Sequence, residues 1–418
     1  MYTLKLLSPA IDSFAFKGEE VSNLSFIILN TSWVNLRFDY DSVIRVLEFK
    51  KEVRARIESV LDHGAIMEAS RDWHAKRNPI PCGMTIHTGI SCDFGCLYCY
   101  IYDMGFTGKP KPYNLSGLQL VYALTVNPYF TPGVHGTLLA FGSVTEPFMD
   151  NTLSRTLEYF RSLRDYLGNP QQVSTKAIIP DNLIDDLRLS VDPDISILIS
   201  LSTLRHADKL EPRAPPPESR LVFASKLIKR GFHVTLFLRP IIPSITDREI
   251  KDILDKASSY NIETIVTGTL RVTPRILKNL EVSRVVDINQ LKNRIPENLK
   301  PRVQEAIKSS DLKSHIIREA EKRGIRILPA SCSANIDSHR QACAACYMGP
   351  CGLEEKLPEV DEEGVIGACK ALGVRVSQVR IQNNIVNIKC IDKPDKCRVL
   401  KHLIISLARR TPKIKITS

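Results

Sequence analysis

Three thiols, Cys92, Cys96 and Cys99, fall in the stretch Gly89-Ile-Ser-Cys-Asp-Phe-Gly-Cys-Leu-Tyr-Cys-Tyr100, spaced C-x3-C-x2-C with an aromatic just before the last of them. Clustered thiolates on one short loop can hold three irons of a cubane iron-sulfur cluster, which leaves the fourth iron open. An open iron can chelate a small molecule, whereas a fully ligated cluster only passes electrons, so the missing fourth cysteine argues for chemistry carried out on the cluster. Gly95 suits a loop that wraps a cluster without a Cβ clash, and Tyr98 can lie over a bound cofactor. The rival reading is a zinc loop or a set of buried structural thiols. Zinc sites usually draw four ligands from paired C-x2-C units, and the triplet is not such a pair.

A second group, Cys332, Cys343, Cys346 and Cys351, has spacing C-x10-C-x2-C-x4-C, with Gly349-Pro350 and Gly352 punctuating the turn. Four thiolates so close together are enough to close a metal site. A second 4Fe-4S cluster is expected here, with zinc as its rival because Cys343 and Cys346 make half a zinc site and His339 is a nearby substitute ligand. A purely redox C-x2-C pair is a third option. Cys82, Cys369, Cys390 and Cys397 show no ligand spacing and read as small apolar residues. Eleven cysteines, seven of them in two tight groups, point to metal rather than disulfides, and so to a reducing, low-oxygen setting.

These groups sit within a repeating pattern. Short apolar runs at Met84 to His87, Thr137 to Phe141, Val173 to Ile179, Ile195 to Leu201, Val234 to Leu238, Thr264 to Val266 and Ile325 to Leu328 read as strands. Helical patterns lie between them at Leu153 to Leu167, Pro216 to Arg230, Asp247 to Tyr260 and Pro301 to Arg323, several opening with Asp or Pro. Such βα repetition predicts an α/β fold, a partial or complete (β/α) barrel with its chemistry at the C-terminal ends of the strands. The cysteine loop follows the first strand, where such a barrel would place its site.

The triplet resembles that of the radical S-adenosylmethionine superfamily, and over about residues 80 to 330 the chain is similar to the branch containing spore photoproduct lyase and the DNA repair photolyase-like proteins. The resemblance implies a 4Fe-4S cluster on Cys92, Cys96 and Cys99 whose open iron takes S-adenosylmethionine. An electron then splits the sulfonium, and a 5'-deoxyadenosyl radical abstracts hydrogen from substrate. Phe141-Gly-Ser-Val-Thr-Glu-Pro147 looks like the branch's second-strand motif, in which Gly142 would let backbone approach the ligand and Ser143, Thr145 or Glu146 would take the ammonium or ribose. Ser174-Thr-Lys176 resembles the segment whose lysine pairs with the cofactor carboxylate, and Ser200 matches the serine that touches the ribose. Glu211-Pro-Arg213, followed by Arg220-Leu, and Arg239-Pro-Ile-Ile-Pro243 look like further motifs of the branch. Arg239 is read as a partner for the cofactor carboxylate or a substrate phosphate, and Ile241 and Ile242 as adenine-facing surface. One departure matters: the photoproduct lyase uses a cysteine in its second-strand motif as hydrogen donor, and Val144 stands there in this chain.

Length divides the 418 residues into an N-terminal α+β flank over 1–78, the barrel over 79–330, the second cysteine segment over 331–354 and a small basic α+β module over 355–418. The N-terminal flank shows strands at Leu24 to Leu29 and Val34 to Phe38 and a charged helix from Asp41 to Leu61. The C-terminal module reads as helix, strand Val374 to Ile381, turn, strand Ile385 to Ile391, helix Lys396 to Leu407 and strand Ile414 to Ile416. The net charge is +11, and between Lys396 and Lys415 there are seven basic residues and no acidic one, so nucleic acid is an expected partner beside a low-potential electron donor. Trp33, Trp73, His74 and the aromatics from Tyr98 to Tyr102 could form a base-stacking surface, although most aromatics pack in cores or loops. No apolar run reaches bilayer length and no leader pattern is present, so the expected location is cytoplasmic. The substrate implied is a nucleic-acid base or similarly phosphorylated molecule. Two alternatives are a peptide- or protein-modifying radical enzyme with an auxiliary cluster, and a non-catalytic, metal-stabilised nucleic-acid binder.

Overall fold

A computed structural model describes residues 37–80 and 83–417; the strand expected over 24–29, most of that over 34–38, Trp33 and Cys82 lie outside the described residues. Seven parallel strands form the central sheet in chain order: β1 (Gly83–Ile86), β2 (Leu138–Phe141), β3 (Gln171–Thr175), β4 (Ser196–Ser200), β5 (His233–Ile241), β6 (Thr264–Thr269) and β7 (Arg326–Leu328). Every residue of β4 is buried, as expected of a strand covered on both faces. Alternation assigns the faces. Ile197, Ile199, Leu236, Leu238 and Ile265 join the large core beneath the surrounding helices, while Leu198, Phe237, Val266 and Leu328 point the other way. The ladder runs from β1 to β7 without those two pairing, so the sheet stays open as a partial (β/α) barrel.

The helical layer comprises α1 (Tyr40–Glu58), α2 (His63–Arg71), α3 (Gly117–Val126), α4 (Asp150–Tyr166), α5 (Asn182–Ser190), α6 (Pro217–Lys229), α7 (Thr246–Ser259), α8 (Pro274–Ser283) and α9 (Ser310–Glu321). Helix α9 begins later than the sequence pattern suggests. Arg302 takes a left-handed φ of 62°, which ends helical geometry, and residues 305–306 instead pair with 271–272 while Ile307 and Val272 bury together. Strand β3 likewise stops at Thr175 rather than Ile179. The Thr175 hydroxyl accepts from the Ala177 amide at 2.9 Å and turns the chain out of the ladder.

One helix of different character, α10 (Ser331–Ser338), lies against the sheet face that the outer helices leave uncovered. Its Ala334 packs on Leu198, Phe237, Val266 and Leu328. Asp337 receives His233 at 3.0 Å and Arg326 at 2.9 Å, both at strand starts, and Gln172 donates at 2.7 Å to the Ser331 carbonyl at the other end. The helix then leads into a ribbon of β8 (Ala342–Cys343) and β9 (Cys351–Gly352).

The chain closes with α11 (Glu362–Ala371), β10 (Val376–Gln382), β11 (Ile385–Cys390), α12 (Pro394–Leu403) and β12 (Thr411–Ile416). Its three strands form a separate sheet whose inner face buries Val379, Val386 and Ile388 with residues of α11 and α12. Helix α1 serves both cores: Val43 and Val46 join this one, Val53 and Ile57 the main one. Arg409, 2 % exposed, donates to the Gly136 carbonyl at 3.2 Å and Gln341 Oε1 at 3.1 Å, fastening the module beside the start of β2. One expectation is overturned here. Cys390 and Cys397 are not isolated apolar residues but a disulfide, because the turn after β11 brings the first turn of α12 back over the strand end, with Cα atoms 6.6 Å apart. No helix among the described residues is long and apolar enough to cross a membrane.

Candidate active site

The C-terminal ends of β1 to β6 surround a cavity of about 290 Å³. Cys92, Cys96 and Cys99 line it on the loop after β1, together with Tyr98, Gly142, Ser143, Thr145, Glu146, Lys176, Ser200 and Arg239. Each polar residue comes from the C-terminal end of a strand or the turn that follows, Arg239 from near the end of β5, so the fold alone brings together groups up to about 150 positions apart in the sequence.

Two features shape the cysteine loop. Gly95 has φ +65°, and a Cβ there would meet the Arg213 guanidinium at 2.9 Å. The segment around Glu211-Pro-Arg213 is the reason: the Leu97 amide donates to the Leu210 carbonyl at 2.9 Å, the Arg213 amide to the Phe94 carbonyl at 3.2 Å, and Arg213 Nε to the Asp93 carbonyl. From the other side, Arg275 bonds Asp103 and the Cys99 carbonyl. Burial pushes the Cys92 and Cys96 thiols up to about 12 and raises that of Cys99.

Behind the loop lies a network of charge. Glu211, 2 % exposed, accepts from the Tyr98 hydroxyl and pairs with Arg220, itself 1 % exposed, at 2.5 Å. Arg220 also donates to the Ser200 carbonyl at 3.1 Å and the Pro215 carbonyl at 2.7 Å. Lys176 Nζ lies 5.6 Å from the centre of the Tyr98 ring. Burial would lower the pKa of Lys176, but the acidic groups of Cys96, Glu211 and Glu146 outweigh it and raise the value.

Within the turn after β2 the three polar side chains differ in use. Glu146 accepts from the Thr175 hydroxyl at 2.5 Å, the Lys176 amide at 2.9 Å and the Phe148 amide at 3.4 Å; burial nevertheless raises its pKa. It ties two strand ends together. Ser143 Oγ and Thr145 Oγ1 are buried and have no hydrogen-bond partner. Buried hydroxyls are rarely left unsatisfied, so these two stand ready for a ligand.

Gly142, at φ +95°, lines the cavity and is also pressed against the neighbouring strand end, where a Cβ would lie 2.2 Å from the Ser174 carbonyl oxygen. Other expected roles need correction. Ile241 and Ile242 are wholly buried in two hydrophobic clusters and do not line the cavity, because a register shift between Leu238 and Ile241 breaks the alternation of β5 and turns Ile241 into the main core. Among the described residues the aromatics of the expected base-stacking surface do not come together: His74 is fully buried, held by Asp72 at 2.7 Å, Trp73 lies exposed, and Tyr98 is packed inside. Arg271, Gln172 and Ser331 line the cavity without having been singled out in the sequence, and Tyr100, read there only as a stacking aromatic, joins them. Arg271 lies two residues past the end of β6, and the βα pattern offered that signal.

The second cysteine group is arranged otherwise. Cys343 and Cys351 face each other across β8 and β9, and with Cys332 they pack on Leu138 and Ile336. Cys346 lies on the loop between the two strands. His339 is not a substitute ligand, since its Nε2 is bonded to Asp192 at 2.5 Å and its Nδ1 to the Asn335 carbonyl at 2.7 Å. Among the described residues, no three His, Cys, Asp or Glu side chains converge as one metal ion would require.

No family model and no curated relative matches the sequence. Solved structures do match in fold. A spore photoproduct lyase variant with bound AdoMet and dinucleoside spore photoproduct aligns at a TM-score of 0.50 and 14 % identity, over 62 % of this chain and 79 % of that one. SuiB of Streptococcus suis, bound to S-adenosylmethionine, aligns at 0.39 and 13 %, over 61 % and 52 % of the two chains, and methylornithine synthase (PylB) at 0.34 and 13 %, over 73 % and 97 %. The open seven-stranded sheet with its ring of polar strand ends is a partial (β/α) barrel with smaller elements at either end, a fold shared with the spore photoproduct lyase variant.

Proposed function

We propose that this chain is a radical S-adenosylmethionine enzyme, with a 4Fe-4S cluster on Cys92, Cys96 and Cys99. The supporting observation is that these thiols line one cavity with a half-buried cation, Lys176, and two buried, unpartnered hydroxyls, those of Ser143 and Thr145. This donor set fits the group: three sulfurs for three irons, a cation for a carboxylate, and hydroxyls for an ammonium or ribose. When bound, the cluster and S-adenosylmethionine would supply a 5'-deoxyadenosyl radical that takes hydrogen from substrate. Lys176 would hold the carboxylate of the nucleoside, kept in place by Tyr98 and the Glu211–Arg220 pair. Ser200, whose carbonyl is fixed by Arg220, would present its hydroxyl to the ribose. Phe237, Leu198 and Val144 give the cavity apolar wall, which would keep water from a substrate hydrogen held there.

Arg239 and Arg271 both line the cavity, and a substrate with a phosphate or carboxylate suits them, a nucleic-acid base within a strand being the reading we favour. Val144 carries no thiol, so hydrogen return in the manner of the photoproduct lyase is not part of the proposal. The second cysteine group is proposed to hold another iron-sulfur cluster, with zinc as the rival. Its support is the packing of Cys332, Cys343 and Cys351 together, with Cys332 adjacent to Ser331 on the cavity wall, a route for an electron.

The test is anaerobic reconstitution with iron and sulfide of a variant lacking the second group. About four irons per chain and a change in the electron paramagnetic resonance of the reduced protein on adding S-adenosylmethionine are expected. A loaded, reduced protein whose spectrum ignores the nucleoside would refute the assignment.

A further inference from the structure

The basic run that stands out near the end of the chain is divided by the fold. Arg409 is buried against backbone carbonyls, Arg410 donates to the Pro358 carbonyl at 3.0 Å, and Arg398 lies by Asp395 at 3.6 Å. Lys396 and Lys401 belong to α12, on the helical side. Lys413 and Lys415 instead project from β12 on the opposite face of the small sheet, where two residues from outside the run join them. Strand register sets Arg380, Asn387 and Lys413 in one row across the three strands, and Gln378, Lys389 and Lys415 in the next. A third row is Gln382, Ile385 and Thr411. None of the nine residues is acidic, and Arg380, Lys389, Lys413 and Lys415 are all exposed.

Nearby carboxylates are occupied elsewhere. Asp361 pairs with Arg37 at 2.7 Å, Asp392 with Arg375 at 3.6 Å, and Glu362 accepts from the Ile381 amide at the sheet edge. Helices α11 and α12 cover only the inner face. Lys389 and Lys415 are direct cross-strand neighbours, an arrangement that costs stability when nothing lies between them. Folding alone therefore does not account for these four cations on one open face.

We propose that the outer face of this sheet binds the phosphodiester backbone of a nucleic acid. Strands about 4.8 Å apart and same-face residues about 6.7 Å apart along each strand place the cations on a patch roughly 10 Å across. That is the axial run of roughly three nucleotides in a duplex strand. Gln378, Gln382 and Asn387 add amide donors for phosphate and sugar oxygens. The rows hold no aromatic residue, so bases are not stacked and binding is sequence-tolerant and governed by counterion release. The proposal is independent of the radical chemistry at the other site.

Fluorescence anisotropy of the full chain with a short single-stranded RNA, the matching DNA and its duplex, titrated over a range of salt, tests it. Wild type should bind at least one of the three, with affinity falling as salt rises. Lys389→Gln combined with Lys415→Gln should flatten the log–log salt slope by about 1.4 with a single strand, or about 1.8 with duplex. The paired Lys→Arg variant should keep the wild-type slope, and Lys396→Gln with Lys401→Gln on the helical side should leave it unaltered. An unchanged slope in the sheet variant, equal flattening in the helix variant, or binding to phosphatidylserine vesicles but to none of the oligonucleotides would each overturn it.

Discussion

Cys92, Cys96 and Cys99 open onto a cavity among polar strand ends, whereas Cys332, Cys343 and Cys351 turn toward Leu138 and Ile336 in an apolar cluster. Both groups have spacing that suits a metal, and only their neighbours separate them. The first, although Cys96 and Cys99 also pack on apolar residues, has a half-buried lysine, unpartnered hydroxyls and room for a small molecule; the second has aliphatic carbon. Sulfur spacing thus speaks to what is bound, and the surrounding side chains to whether a reactant can reach it.

The sharpest way to break this comparison is to remove each group in turn. Cys96→Ala should abolish 5'-deoxyadenosine formation down to background, while replacing Cys332, Cys343, Cys346 and Cys351 by alanine should lower the iron content and spare a single turnover with chemical reductant. Equal loss in both variants, followed by chromatography of the nucleoside product, would erase the distinction. Next in size is the network behind the first group. Glu211→Ala leaves Arg220 buried without its carboxylate and should cost about 3–5 kcal/mol in denaturant unfolding, because an uncompensated buried charge is expensive. A loss under 1 kcal/mol, of the order of an exposed pair, would show that the network is not what holds Tyr98.

A smaller effect is expected at the cofactor subsite. Lys176→Met should weaken S-adenosylmethionine binding by about 1.5–3 kcal/mol, the range for a charged hydrogen bond, in equilibrium dialysis of the reconstituted protein. Unaltered affinity would move the carboxylate to Arg239. The most gradual effect is a pH dependence spread over the fold. Burial lowers His402 and His135 to about 4 and His87 to about 3, below the value of about 6.5 for an unfolded histidine. Their contribution is complete above pH 6.5 and lost as pH falls toward 4 and then 3, since the unfolded chain takes up protons that the folded one refuses. Each should cost at most about 1.4 kcal/mol per pH unit, measured by urea unfolding, and His402→Gln should reduce the slope.

All seven barrel strands were legible because each is a short apolar run closed by glycine or a polar turn, and with them came the strand-end residues. Their meeting in one cavity follows from parallel order, not from any single motif. What stayed hidden was set by partners distant in the chain. Nothing in Ser331-Cys-Ser-Ala-Asn-Ile-Asp-Ser338 marks a helix that lies against the inner sheet face, since small and polar residues give it no amphipathic stripe. Arg220 gains its carboxylate only when Glu211 and α6 pack together, and the Cys390–Cys397 bond depends on where the turn after β11 leads. Ile241 and Ile242 read as ligand-facing only while the phase of β5 was unknown. The basic run from Lys396 to Lys415 looked like one patch because linear order conceals that a helix and a strand point it in different directions.

The most direct trial of the whole account is to reduce the iron-loaded protein under strict anaerobiosis in the presence of S-adenosylmethionine and quantify 5'-deoxyadenosine. Formation of the nucleoside by the wild type, and none by a protein lacking Cys92, Cys96 and Cys99, is the predicted result. Fully loaded, reduced wild type that leaves the sulfonium intact would contradict it.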